Sequence, residues 1–207
     1  MPPLLENPWL ALFLFSLLGY LSGSLPFAVW ITRAVKGVDL REAGSKHATT
    51  TNTIRQAGFG PGALVLILDL SKGFLPVYLA ARAGVPDWVI GLTAAAAVAG
   101  HCWPLFAGFR GGMGLATAGG GMLSVAWLAF VAGIGILITL TLAIRHSARA
   151  SVLTGLLLAP VYWIIGLRGP VIWMGVFSGL IIAARFAVDW RREYRELWLD
   201  RPSSSKK

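Results

Sequence analysis

The stretch Gly100-His101-Cys102-Trp103-Pro104-Leu105-Phe106-Ala107-Gly108-Phe109-Arg110-Gly111-Gly112-Met113-Gly114-Leu115-Ala116-Thr117 decides how this chain is read. An apolar run ends in a histidine and a proline, a cation opens a glycine-rich turn, and a helical segment of small residues follows. In a membrane protein this order sets bare backbone N–H groups and a positive charge at a helix N-terminus, which suits a phosphate.

The rest of the chain supplies the membrane. Of its 207 residues 56% are hydrophobic and only 13% charged, and the mean hydropathy is +0.70. Soluble domains carry roughly 25% charged residues. An apolar helix crosses a bilayer in about 20 residues. Spans are expected at Trp9–Ile31 (broken at Gly23-Ser24-Leu25-Pro26), Gly62–Ala81, Trp88–Phe109 and Val125–Ile144. Leu115–Leu123 reads as a half-span, and Ser151–Gly166 and Val171–Ala184 as short ones. The predicted fold is all-α: a polytopic integral membrane protein with about seven transmembrane helices, some short or broken. Residues 1–200 form one membrane-embedded domain in this reading, and 201–207 a disordered polar tail or an expression remnant.

A net charge of +9 raises the question of nucleic acid, but the cations flank apolar segments instead. With the N-terminus outside, fifteen of the eighteen Lys and Arg residues fall on the inner side, and only Arg82 and Arg168 fall outside. This bias predicts a multi-pass plasma-membrane protein with a cytoplasmic C-terminus, with membrane lipids and not nucleic acid as its surroundings. The N-terminus has no basic n-region of a signal peptide. Trp9, Trp30, Trp88, Trp103, Trp127 and Trp190 fall near span ends, as an interfacial belt requires. The single cysteine, Cys102, excludes an intramolecular disulfide and reads as packing.

Three inner segments offer what a phosphate ester needs. The first runs from Ala43 to Arg55 and holds Ser45, Lys46, His47, Thr49 to Thr51, Asn52 and Arg55; the threonines read equally well as helix caps. The second is the turn from Arg110 to Gly114, the third Arg145 to Ser151. Gly111, Gly112 and Gly114 are candidate N–H donors, Arg55 and Arg110 supply charge, and Ser45, Asn52 and Ser151 orient phosphates. Arg145 reads either as a ligand or as a headgroup anchor. Gly119-Gly120-Gly121 reads as close helix packing. Asp69 and Lys72, three residues apart inside a span, read as an ion pair or, for Lys72, as positive field at the site. His101 is a core histidine or a base.

Five short motifs resemble those of the bacterial acyl-phosphate:glycerol-3-phosphate acyltransferase family. They are Gly23-Ser24-Leu25-Pro26-Phe27; Gly44-Ser45 with Thr51-Asn52 and Arg55; Asp69-Leu70-Ser71-Lys72-Gly73; Gly100-His101 with Pro104-Leu105-Phe106; and Phe109 with Gly111-Gly112 and Thr117. Arg145 and Ser151 fall in a further cytoplasmic motif. The resemblance implies a seven-helix enzyme that transfers an acyl chain from acyl phosphate to the sn-1 hydroxyl of glycerol 3-phosphate. It yields lysophosphatidic acid and phosphate at the cytoplasmic face, without metal or nucleotide cofactor. It also implies catalytic roles for Ser45, Arg55 and His101, and binding roles for Asn52, Lys72, Arg110, Gly111, Gly112, Gly114, Thr117, Arg145 and Ser151.

The chain lacks the His-x4-Asp dyad of acyl-CoA-dependent acyltransferases: Asn52, Phe106 and Ser151 stand five residues after its three histidines. It also departs from the resembled pattern. The family's Ser-Gly-Asn is Ser45-Lys46-His47, its Lys-Gly-Gly-Lys-Gly is Arg110-Gly111-Gly112-Met113-Gly114, and its C-terminal His-x-x-Asn aligns with Phe186 and Asp189. These changes motivate an alternative reading, an altered paralogue that binds a phosphorylated or lipid ligand. A small transporter, suggested by Asp69/Lys72 and the broken helices, ranks last, because no inverted repeat is visible.

Overall fold

A computed structural model describes residues 7–192, and the polar tail at 201–207 lies outside them. Among the described residues there are nine α-helices. In chain order they are α1 (Pro8–Gly23), α2 (Phe27–Lys36), α3 (Thr50–Ala57), α4 (Phe59–Arg82), α5 (Asp87–Cys102), α6 (Leu115–Val125), α7 (Trp127–Ile144), α8 (Ser147–Ile164) and α9 (Pro170–Ala187). Six segments are long and apolar enough to cross a membrane, with α1 and α2 counted as one, and α6 is a shorter apolar helix. The protein is an integral membrane protein of the predicted class.

The first span breaks where expected. Pro26 separates α1 from α2, and the Leu25 carbonyl beside it is left to accept a hydrogen bond from elsewhere. Three boundaries differ from expectation. Helix α5 stops at Cys102 and not at Phe109, because Pro104 disfavours helical backbone at Trp103, which turns extended at φ −129°. Only a short 3-10 turn, Leu105–Ala107, follows. Helix α8 starts at Ser147, four residues earlier than read from sequence, because the His146 side chain accepts from the Arg149 N–H at 3.5 Å and caps it. Both α8 and α9 are 18 residues long, within the range of about 17–25 residues that crosses a bilayer. The third loop, expected to reach Ser151, shrinks to Arg145 and His146.

Without a hydrophobic driving force between helices in lipid, close packing must come from small residues. A Cβ at Gly19 or Gly23 of α1 would strike the α5 backbone, at Gly73 or Gly120 the α4–α6 contact, and at Gly155 or Gly179 the α8–α9 contact. These three pairs, with α5 against α9, build the bundle. Helix α7 is different: of its residues only Ala129 is buried, so most of its surface faces lipid. Cys102 is fully buried beside Val98 and Met113, in keeping with a packing role. Trp9, Trp30, Trp103, Trp127 and Trp190 remain exposed at the ends of the bundle, while Trp88 packs on Trp9.

Candidate active site

One cavity of about 540 Å³ opens among α3, α4, α6, α7 and α8. Its polar end is lined by Ser45, His47, Thr49 to Asn52, Arg55, Asp69, His101, Ser147 and Ser151. Its apolar end is lined by Leu66, Leu70, Met122, Phe130, Gly133, Ile134, Leu137 and Leu158.

Three helix N-termini meet at the polar end. Thr49 caps α3 by accepting from the Asn52 N–H at 3.3 Å, leaving the first turn at Thr50 and Thr51 on the cavity wall. Helix α6 begins at Gly114, Leu115 and Ala116 on the same wall and has no side-chain cap. Helix α8 brings Ser147 and Ser151. The first N–H groups of a helix have no intrahelical acceptor, and each terminus carries about half a positive charge. Three such ends with the Arg55 guanidinium form a head suited to anions. Gly114 makes the α6 turn possible: its φ of +84° favours glycine, and a Cβ there would press on Val98 and Cys102.

Of the residues singled out from sequence, Ser45, His47, Thr49 to Thr51, Asn52, Arg55, Asp69, His101, Gly114 and Ser151 line this cavity. Asn52 is fully buried, and its Nδ2 donates to the carbonyls of Ala43 and His47 at 3.0 Å each, so it shapes its loop. The others lie elsewhere. Arg110 is exposed and staples the turn to the first loop, through Glu42 Oε1 at 2.7 Å and the Arg41 carbonyl at 2.8 Å. The Gly112 N–H donates to the His101 carbonyl, and the Gly111 carbonyl accepts from the Ala48 N–H. A Cβ at Gly112 would collide with the His101 ring, so this glycine lets the imidazole lie against the turn. Thr117 is buried off the cavity, where its carbonyl abuts Gly73. Arg145 is exposed and ends α7 with φ +51°.

Lys72 points away from the cavity. Its ammonium sits 2.9 Å from Asp69 Oδ1 and donates to the Leu25 carbonyl at 3.0 Å. Asp69 thus faces the cavity already paired, with His101 Nδ1 3.6 Å from the same Oδ1. Nearer the surface, the Arg41 guanidinium holds the Asp39 carboxyl below the usual carboxylate range and donates to the Ala107 carbonyl at 3.0 Å, which ties the first loop to the turn. Among the described residues, no cluster of three His, Cys, Asp or Glu is arranged to hold a metal ion.

The known proteins that share this architecture settle its kinship. A sequence profile described as glycerol-3-phosphate acyltransferase matches residues 13–197. The chain belongs to the glycerol-3-phosphate acyltransferase family. A glycerol-3-phosphate acyltransferase of Synechococcus sp. (strain JA-3-3Ab) is 37% identical over 177 residues, covering 85% of this chain and 86% of that one. That of Anaeromyxobacter dehalogenans (strain 2CP-C) is 38% identical over 183 residues, covering 86% and 90%. The crystal structure of PlsY (YgiH), an integral membrane glycerol 3-phosphate acyltransferase, in its glycerol 3-phosphate form superposes with a TM-score of 0.77 at 32% identity. It covers 87% of this chain and 90% of that one. Its lysophosphatidic acid form gives a TM-score of 0.75 at 31% identity. Like its relatives, the chain is an integral membrane acyltransferase of phospholipid synthesis.

Sequence reasoning passed over Thr154, which lines the cavity, and the roles of Arg185 and Arg192, which it counted only as inner-side cations. Met113 and Asp189, noted in sequence as departures from the family pattern, fall at this site too: Met113 on the cavity wall, and Asp189 with Arg185 and Arg192 around His47. These groupings depend on partners far away in the chain.

Proposed function

We propose that the chain transfers an acyl group from acyl phosphate to the sn-1 hydroxyl of glycerol 3-phosphate, releasing lysophosphatidic acid and inorganic phosphate. The site then faces the cytoplasm, with the N-terminus outside and the C-terminus inside, as the cation distribution favours. The observation that carries this reading is the continuity of one cavity from an anion-binding head to an apolar trench. The acyl tail lies along Leu66, Leu70, Phe130, Ile134 and Leu137, where α4 and α7 pack little on one another and lipid has access. The phosphates lie among the N-termini of α3, α6 and α8, beside Arg55, Ser45 and Ser151.

The donor is a mixed anhydride and already activated, so no protein nucleophile is required. The acceptor oxygen attacks the acyl carbon, a carbon–oxygen bond forms, and the bond to phosphate breaks. The hydroxyl proton passes to the departing phosphate, with His101 on the cavity wall as the alternative acceptor. Charge gathers on the carbonyl oxygen and the leaving phosphate, and a fixed donor aimed at such a position contributes about 2.7–4 kcal/mol.

Purified protein given acyl phosphate and labelled glycerol 3-phosphate is the test. Labelled lysophosphatidic acid that disappears in Arg55→Ala is the expected result. Product from acyl-CoA but not from acyl phosphate would overturn the donor assignment. Binding of glycerol 3-phosphate without product would favour the paralogue.

A further inference from the structure

Two of the positions at which the sequence departs from the family pattern, His47 and Asp189, are 142 residues apart in the chain and meet in space. His47 Nε2 lies 2.8 Å from Asp189 Oδ2, with both side chains nearly buried. The other ring nitrogen, Nδ1, lies 3.2 Å from Arg185 Nη2. Guanidinium only donates and an ionised carboxylate only accepts, so Arg185 at Nδ1 and the carboxylate at Nε2, closer there at 2.8 Å than Arg192 Nη1 at 3.3 Å, favour the neutral tautomer with the proton on Nε2. Arg185 continues the network by donating from Nε to the Gly112 carbonyl at 3.1 Å. Arg192 donates to the Ser45 carbonyl at 2.9 Å and leans toward Asp189 Oδ1 at 3.9 Å. The first loop, the glycine turn and the end of α9 are thereby joined at the cavity mouth, where Ser45 and His47 both line the wall.

We propose that His47 and Asp189 form a positioning pair, which locks the loop bearing Ser45 to the end of α9 and holds the phosphate end of the cavity in its binding geometry. The pair is not catalytic, since both ring nitrogens face protein partners. A histidine at 47 needs an acceptor beyond its Nε2, and an aspartate at 189 supplies one, while Arg192, 3.9 Å from Oδ1, keeps that carboxylate from standing uncompensated near a phosphate site. The inference rests on the substrate reading above.

The experiment uses the full-length protein in lipid nanodiscs and compares His47→Ala, Asp189→Ala and the double variant. Each single change is expected to raise KM for glycerol 3-phosphate roughly tenfold with kcat little changed, and the double change to raise it by no more than either. His47→Gln, whose amide N–H can replace Nε2–H toward Asp189, is expected to recover most of the loss. An unchanged KM in either single variant, or a roughly hundredfold rise in the double variant, would overturn the pair. Should the alanine variants fail to fold, Asp189→Asn keeps an acceptor and Asp189→Leu does not. The thermal shift given by glycerol 3-phosphate must then survive in the first and shrink in the second; equal shifts would overturn the pair. Wild-type protein that binds glycerol 3-phosphate but makes no product would sink the reaction and leave the pair to be judged by that shift.

Discussion

Lys72 lies one turn along α4 from Asp69, its Nζ 2.9 Å from the carboxylate and 3.0 Å from the Leu25 carbonyl freed by the break between α1 and α2. The broken first span therefore gives the buried ammonium its second acceptor. Removing one charge leaves the other buried alone, which costs about 3–5 kcal/mol. Lys72→Met should lower the melting temperature sharply in detergent, and Asp69→Asn/Lys72→Met should recover a good part. Equal losses in the single and double variants would show that the pair is not what stabilises this region.

Arg55 on α3 and Arg110 in the glycine turn are both cations read from sequence as phosphate ligands, but of the two only Arg55 lines the cavity. Arg55→Ala should cut turnover by about 10²–10³, as loss of one fixed donor does in comparable sites. Arg110→Ala removes an exposed bridge to Glu42 and should change activity less than about threefold, since exposed pairs contribute no more than about 1 kcal/mol. Steady-state rates of the two variants decide this.

Gly133 of α7 faces the apolar end of the cavity, where an added Cβ would lie 3.0 Å from the Tyr162 hydroxyl and 3.5 Å from Leu158. Gly135, two residues on, has open space around it. Gly133→Leu should therefore shift the preferred donor to shorter acyl chains, while Gly135→Leu should not. Rates across a chain-length series of acyl phosphates are the readout.

His47 gives the site a pH dependence. Burial, and then the charge of Arg185, push its imidazole below the ordinary value of 6.5, Asp189 opposing and Arg192 adding to the push. The unfolded chain thus takes up the proton first as pH falls. This group's contribution to stability is full above about 6.5 and is lost as pH drops through the lowered folded value. Melting curves recorded from pH 8 downward should show an acid decline that is smaller in His47→Gln.

Much of this was legible in the chain. Gly23-Ser24-Leu25-Pro26 announced the break in the first span, and Asp69 with Lys72 announced a pair, because proline and buried charge obey local rules. Gly120 reads as close packing for the same reason: only a missing side chain lets α6 reach the Leu70 carbonyl. Other features depend on tertiary partners. Helix α3 is eight residues long and mostly polar, and its threonines are as consistent with a loop as with the cap that Thr49 provides. The role of Arg110 is set by Glu42, 68 residues away, and that of His47 by Asp189. The Arg110-Gly111-Gly112 turn pointed to a phosphate cradle by composition, yet the Gly112 N–H is committed to His101 and the cavity is met by Gly114 and the helix it opens.

The most direct measurement is an experimental structure with glycerol 3-phosphate bound. The phosphate is expected between the first turns of α3, α6 and α8, within hydrogen-bonding reach of Arg55, with the free hydroxyls turned toward the apolar trench. A phosphate held instead by Arg110 or Arg145 on the outer surface, with the cavity filled by lipid alone, would contradict the account.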